Sequence, residues 1–284
     1  MDQGSSDLAI RPARRAELDL TLEWAAQETW NPGLSDAACF FAADPEGFLL
    51  AFCDGEPVAS ISVVRYGGAF GFFGLYIVRP DLRGRDYGYR VWQAGMAQLE
   101  KRTVGLDGVV AQQENYRRSG FRLAHRNIRY GGQPGVAAPQ DARIQAVEGD
   151  LLNAVRAYDR AFFPAPRDGF LRCWLDPSRH HARALVQDGS VRGYGVMRRC
   201  RTGFKVGPLF AETDEGAEAL FRSLAAEANG GPVFLDIPEP NSAARALAAR
   251  HGLAPVFETA RMYRGPDPQL PLSRIFGITT FELG

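Results

Sequence analysis

The stretch Phe72-Phe73-Gly74-Leu75-Tyr76-Ile77-Val78, running into Arg79-Pro80-Asp81-Leu82-Arg83-Gly84-Arg85-Asp86-Tyr87-Gly88, decides how this sequence folds. Its first half is a short apolar run rich in aromatic and β-branched residues, the composition of a buried strand. Its second half is a polar loop opened by Gly84 and Gly88. Beyond the loop, Tyr89, Val91, Trp92, Met96 and Leu99 recur at helical spacing, so the unit reads strand, loop, helix. A helix start leaves backbone N–H groups without intrahelical partners, and the helix dipole adds to their attraction for an anion. Arg83, Arg85 and Arg90 would add charge-assisted bonds to a bound phosphate.

Working outward, the plan around this unit occurs twice. Ile10 and the helical series Leu18, Leu20, Leu22, Trp24 are matched by Ile144 and Leu151, Leu152, Val155, Tyr158. Asp44-Pro45 returns as Asp176-Pro177, the hairpin turn Asp54-Gly55 as Asp188-Gly189, and the strand Phe72–Val78 as Phe204–Phe210. Gly120-Phe121 matches Gly252-Leu253, and Tyr130 matches Tyr263. Single pairs of turn dipeptides mean little, but all of these fall in order at offsets of 132 to 134 residues, which marks an internal duplication. The expected organisation is an N-terminal domain over residues 1–131, a Gly/Pro/Ala-rich linker over 132–142, and a C-terminal domain over 143–284. Each copy is expected to be a mixed, mostly antiparallel sheet flanked by helices, an α/β (α+β) fold. Pro266–Gly284 has no counterpart in the first copy and is expected to pack across the two domains.

Composition narrows the function. Thirty-three basic and 33 acidic side chains cancel, so no excess charge attracts nucleic acid or an anionic membrane surface. All the basic residues except Lys101 and Lys205 are arginines. Met1–Asp7 has no basic start followed by an apolar stretch, and the apolar run Ala69–Val78 is too short to span a bilayer, which together predict a cytoplasmic protein. Cys39, Cys53, Cys173 and Cys200 form no Cys-x-x-Cys pair and are expected to be free thiols. The four histidines never reach metal-ligand spacing, and neither a Gly-x-Ser-x-Gly elbow nor a phosphate-binding Gly-x-x-x-x-Gly-Lys loop is present, so no metal is expected.

The loop Val78-Arg79-Pro80 followed by Arg83-x-x-Asp86-x-Gly88 resembles the signature of the GNAT superfamily of acyl-coenzyme A-dependent N-acyltransferases. In that family a strand ending in Val-x-Pro precedes Arg/Gln-x-x-Gly-x-Gly/Ala, whose amides hold the coenzyme A (CoA) pyrophosphate. Here Asp86 replaces the first signature glycine; Asp tolerates left-handed backbone, but its carboxylate is unfavourable beside a pyrophosphate. The resemblance implies cofactor contacts from Arg83, Gly84, Arg85, Asp86, Tyr87, Gly88 and Tyr89, with backbone groups of Ile77 and Val78 pairing with the pantetheine arm. Tyr116-Arg117-Arg118-Ser119-Gly120-Phe121 resembles the family's Tyr-x-x-x-Gly-Phe, in which the tyrosine protonates the departing thiolate. The segments Trp30-Asn31-Pro32-Gly33 with Asp36, Asp44-Pro45-x-Gly47-Phe48, and Gly277–Gly284 are similar to a tandem subgroup of the same superfamily. The likeness thus extends over almost the whole chain.

The matching loop of the second copy, Gly207–Gly216, carries three carboxylates and no arginine, and Ala248 stands where the tyrosine would fall. The first copy is therefore expected to bind acetyl-CoA or another acyl-CoA and to react, with the second completing the fold, shaping the acceptor groove or holding another nucleotide-like ligand. Amine attack on a thioester needs a proton acceptor and a proton donor. Tyr116 is the expected acid; Glu114 and Asp36 are the candidate bases, and Trp30 and Tyr76 candidate walls of the acceptor pocket. The acceptor is expected to be a small-molecule amine or amino acid, and the protein a monomer or homodimer. Two other readings stay open: a non-catalytic sensor or scaffold whose Asp86 marks a decayed loop, and an aminoacyl transferase using charged transfer RNA.

Overall fold

A computed structural model describes residues 8–284; Met1–Asp7, the segment read for a targeting signal, lie outside the described residues. The first half runs β1 (Leu8–Pro12), α1 (Arg15–Gln27), α2 (Asp36–Ala43), β2 (Phe48–Cys53), β3 (Glu56–Tyr66), β4 (Phe70–Val78), α3 (Tyr87–Gln98), β5 (Thr103–Val109), α4 (Gln113–Arg118) and β6 (Arg122–Gly132). The second half repeats the plan: β7 (Ile144–Ala146), α5 (Asp150–Asp159), α6 (Asp168–Trp174), β8 (His181–Gln187), β9 (Ser190–Arg199), β10 (Phe204–Ala211), α7 (Asp214–Ala225), β11 (Val233–Pro238), α8 (Ser242–Arg250) and β12 (Ala254–Arg264). A short strand β13 (Ile275–Gly277) follows. This is the α/β mixed sheet flanked by helices that the duplication predicts. No helix among the described residues is long and apolar enough to cross a membrane.

The strands form one sheet in the order β1-β2-β3-β4-β5-β12-β6-β11-β10-β9-β8-β7, with β13 attached to β10. The halves exchange their last strands. β12 lies between β5 and β6, and β6 lies between β12 and β11. Each half's sheet is therefore completed by the other, and neither leaves its inner edge unpaired.

Matched ion pairs lock the exchange. Arg129 on β6 donates two hydrogen bonds to Asp236 on β11, at 2.7 and 2.8 Å. Arg261 on β12 does the same to Asp107 on β5, at 2.8 and 2.6 Å. The arginines are 132 residues apart, the repeat offset, so both halves use one device. All four side chains are sealed from solvent, where a bidentate guanidinium–carboxylate fork is the geometry that offsets the cost of burying charge.

One of the three hydrophobic cores spans both halves, bringing Leu18, Trp24 and Phe40 together with Phe162, Phe170 and Trp174. Here the expectation of four free thiols is overturned: Cys39 on α2 and Cys173 on α6 form a disulfide, their Cα atoms 5.1 Å apart and their sequence separation 134. The separation equals the repeat offset because α2 and α6 are the same helix of the two copies and pack against each other, so a residue and its repeat partner meet. Cys53 and Cys200 are free.

Candidate active site

The site begins where two strands part. β4 and β5 are parallel partners only from Phe70/Thr103 to Phe73/Leu106. Beyond that point β4 carries an irregularity against β3 between Ser60 and Ser62, and Leu75 takes a left-handed φ of 44°. The Ser60 hydroxyl donates to the Leu75 carbonyl at 2.8 Å, so the distorted backbone is held by a buried partner. Strain of this kind persists only where the surroundings enforce it, and it collects at functional sites. Its consequence is a fork between the strands holding a cavity of about 420 Å³.

The wall of the cavity on the N-terminal side is made by β4 (Phe73 to Val78), by Trp92 on α3, by Leu106 to Val109 on β5, and by Tyr116 on α4. Glu28, Trp30 and Arg83 close one side. The second half supplies Phe257 and Thr259 from the exchanged strand β12, and Phe281 and Glu282 from the C-terminal tail. Tyr116 is buried against Trp92, ring centroids 5.6 Å apart, and burial raises its hydroxyl well above the ordinary tyrosine range. It is a protonated donor at neutral pH. Burial, helped by nearby Asp86, likewise raises Tyr76.

The loop after β4 leads into α3, with Asp86 at the N-cap in left-handed conformation (φ 66°). The Asp86 side chain makes no capping hydrogen bond, so the first-turn amides of α3 have no side-chain partner. Gly88, in that first turn, is required by close approach: a Cβ there would meet the Tyr76 hydroxyl at 2.9 Å and Val78 Cγ2 at 3.0 Å. Arg83 donates to the Val78 carbonyl at 3.1 Å and pairs with Glu28. Among the described residues, Arg85 and Arg90 stand exposed with no carboxylate within salt-bridge reach. Free amides at a helix start beside exposed guanidinium groups suit a pyrophosphate, and the open fork suits an extended arm lying along β4.

The structure brings Trp30, Tyr76, Ile77, Val78, Arg83 and Tyr116 together around the cavity. Others fall elsewhere. Asp36 is fully buried at the start of α2, accepting from the Gly33 amide at 2.7 Å and facing Arg198 at 3.2 Å, so it is a structural ion-pair partner and not a cavity wall. Glu114 lies on the exposed face of α4, paired with Arg117, because the chain turns into a helix after β5 and carries that side chain outward. Tyr87 is packed into the core on the side of β1 and β2, its hydroxyl 3.3 Å from Cys53 Sγ, while Tyr89 on the opposite face of α3 is exposed. Gly84, Arg85 and Asp86 stay in the exposed loop.

In the second half the equivalent fork is filled. β10 and β11 pair only from Phe204/Val233 to Val206/Leu235, and β13 then lies antiparallel on β10 in the gap, with Leu209 opposite Gly277. The Asn241 side chain donates to the carbonyls of Leu272, Ser273 and Ile275. The unmatched C-terminal segment thus occupies the slot that stays open in the first half. The same segment continues across to the cavity. Arg167, held by Asp159, donates to Thr279 Oγ1 at 3.0 Å; Arg198 donates to the Thr279 carbonyl at 3.1 Å; and Tyr66 of the first half donates to the Leu283 carbonyl at 3.1 Å.

Comparison with known proteins agrees with this geometry. Residues 15–121 match the model of the acetyltransferase (GNAT) family, and residues 155–277 match that of an acetyltransferase (GNAT) domain. A holothin acyltransferase from Pseudoalteromonas is 34% identical over 275 residues, covering 96% of this chain and 94% of that protein. Among solved structures, a proposed acetyltransferase from Pyrococcus horikoshii superposes with a TM-score of 0.83 at 22% identity, covering 100% of this chain and 97% of that one. A tandem GNAT protein from the clavulanic acid biosynthesis pathway superposes at 0.64 with 14% identity, covering 92% and 100%. The chain belongs to the GNAT family, as a tandem member with two such domains. It is an acyltransferase of a family that uses acyl-CoA co-substrates and amine acceptors.

Proposed function

We propose that the first half binds acetyl-CoA and passes its acetyl group to the amine of a small molecule by direct attack. The reading rests on one observation above the rest: of two equivalent forks, the one at β4 and β5 is an open cavity with a buried tyrosine in its wall, and the other is plugged by the chain's own β13. Ile77 and Val78 offer backbone groups to the pantetheine arm, and the α3 amides with Arg83, Arg85 and Arg90 receive the pyrophosphate. Arg83 would exchange Glu28 for that phosphate. The amine nitrogen attacks the thioester carbonyl, the C–S bond breaks, and Tyr116 gives its hydroxyl proton to the departing thiolate.

Similarity along nearly the full length to a holothin acyltransferase supports a small-molecule acceptor over a protein tail, and makes holothin the first acceptor to offer. The reading places the enzyme in the cytoplasm. Calorimetry should show saturable acetyl-CoA binding, and thiol release with holothin or another primary amine should fall about a hundredfold in Tyr116→Phe with acetyl-CoA affinity unchanged. Absence of acetyl-CoA binding would overturn the proposal. Asp86 favours one rival, a decayed cofactor loop on a sensor scaffold, for which calorimetry should be silent.

A further inference from the structure

Every buried carboxylate that meets the cavity is spoken for except one. Asp107 is held by Arg261 and by the Asn127 amide, at 2.8 Å from the latter. Glu282 is 3% exposed, lines the cavity, and has no ion-pair partner within reach among the described residues; its Oε2 is buried without any hydrogen-bond donor. A buried carboxylate oxygen without a donor is costly unless a cation or donor arrives to satisfy it. The tail that carries it is fixed with care. Thr279 is bound by Arg167 and Arg198, the Thr280 hydroxyl accepts from the Leu283 amide at 2.9 Å, and Phe281 lies under the Arg129 guanidinium at 4.7 Å. The result is a tail backbone fixed in the cavity wall, with the Glu282 carbonyl against Gly74 on β4 of the other half.

Two of the three buried cations around it have a carboxylate partner of their own, and the third does not. Arg129 has Asp236 and Arg198 has Asp36, while Lys205 donates to the Trp30 carbonyl at 2.9 Å. Arg129 from β6, Arg198 from β9 and Lys205 from β10 all feel the Glu282 charge. From the cavity side Tyr76, Tyr116, Asp107, Glu28 and Arg83 share the space. The cavity that Glu282 lines is where a cationic partner would enter.

Resting on the acyl-transfer reading above, we infer that Glu282, delivered by the tail of the second half, receives the acceptor's ammonium group and takes its proton. The ammonium loses one proton to the Glu282 carboxylate, and that proton passes on to solvent. The neutral nitrogen then forms the C–N bond as the C–S bond breaks. Tyr116 supplies the thiolate's proton and recovers one from the nitrogen, which becomes the amide. The second half is thus a catalytic contributor through a residue outside its duplicated core, and the acceptor it selects carries a basic amine.

The test compares wild type with Glu282→Gln and Glu282→Asp, using acetyl-CoA and a panel of primary amines headed by holothin. Glu282→Gln should lower kcat/KM by about a hundredfold with the best amine, should flatten the rise of rate with pH, and should leave acetyl-CoA affinity by calorimetry unchanged. Glu282→Asp should recover part of the loss. The melting temperature separates function from scaffolding: the Glu282 carboxylate makes no hydrogen bond or ion pair, so its loss should move the melting temperature little, whereas a structural carboxylate would lower it. A Glu282→Gln rate within threefold of wild type, or a rate loss accompanied by a lowered melting temperature and weaker acetyl-CoA binding, overturns the inference. A wild type that fails to bind acetyl-CoA overturns the underlying reading instead.

Discussion

Gly74 on β4 and Glu282 in the C-terminal tail are packed so closely that no side chain fits between them: a Cβ on Gly74 would lie 2.8 Å from the Glu282 carbonyl carbon and closer still to its oxygen. Strand β4 of the first half and the tail of the second are therefore in backbone contact at the cavity. Because the obstacle is backbone, Gly74→Ala must displace the tail or the strand. We expect a loss of about 1–3 kcal/mol in urea unfolding. A fall in kcat/KM larger than the change in acetyl-CoA affinity should accompany it, because the residue moved is the proposed proton acceptor. An unchanged unfolding midpoint would mean that the tail does not sit on Gly74 in solution.

The Cys39–Cys173 disulfide ties equivalent helices of the two halves. Closing so long a loop restricts the unfolded chain, and its removal is expected to cost about 2–5 kcal/mol. Alkylation of unreduced, denatured protein should label two thiols, Cys53 and Cys200, and reduction should raise that to four while lowering the melting temperature. Four reactive thiols in protein freshly taken from cells would show that the bond does not form there.

How much of this was legible in the sequence follows from the range of each signal. The duplication, the strand-loop-helix at Phe72–Gly88 and the tyrosine at 116 are read from local pattern, and the fold built on them is the one observed. The strand exchange is invisible locally, since β6 and β12 have the same pattern whichever half they complete. That one non-local event explains most of what was missed. It brings Phe257 and Thr259 to the cavity, and the tail brings Phe281 and Glu282. A charged residue alone in the otherwise uncharged segment Ile275–Gly284 was the available clue. Asp36 and Glu114 were plausible by position in the chain, but one faces a buried arginine from the other half and the other faces solvent. The cysteine pairing could have been read by applying the repeat offset to Cys39 and Cys173.

Arg129 and Asp236 are sealed at the seam between the exchanged strands. Burial opposes ionisation of Asp236, but the Arg129 guanidinium outweighs it and holds the carboxyl below its usual range. Asp236→Ala strands a buried guanidinium and should cost about 3–5 kcal/mol in chemical denaturation. Replacing both partners by apolar residues of similar volume should recover much of that loss. A single substitution as mild as the double one would mean that water reaches Arg129.

His180 is buried against Trp174, its Nδ1 2.9 Å from the Trp174 carbonyl and its Nε2 without a partner. Burial lowers its proton affinity below the ordinary value, with Arg198 and Arg179 acting the same way, although the Trp174 carbonyl opposes them. The folded protein therefore stays unprotonated there where the unfolded chain, with a histidine pKa of about 6.5, has begun to bind protons. More protons on the unfolded state means that stability falls as pH drops below about 6.5, by at most about 1.4 kcal/mol per pH unit for one group. His125, lowered to about 3 by burial and by Arg261, adds a slope of the same sign. Melting temperatures between pH 7 and pH 5 should show this decline, and His180→Asn should make it shallower. A wild-type profile level over that range would mean that His180 is hydrated.

Asp86 combines two unfavourable features at one position. Its φ of 66° is left-handed, which a β-carbon makes costly, and its carboxylate stands at the start of α3, where the proposed pyrophosphate would lie. Asp86→Gly removes both, at the cost of a more flexible unfolded chain. The two stability effects should nearly cancel, leaving the melting temperature within a few degrees of wild type. Loss of the negative charge acts on binding alone, so acetyl-CoA affinity should rise severalfold to tenfold, and most at low ionic strength, where an exposed charge is least screened. Asp86→Asn tests the charge with the turn preserved, and should give most of the gain. If both variants bind acetyl-CoA more weakly than wild type, Asp86 contributes a contact to the ligand, and the arginines beside it are arranged to accommodate that carboxylate.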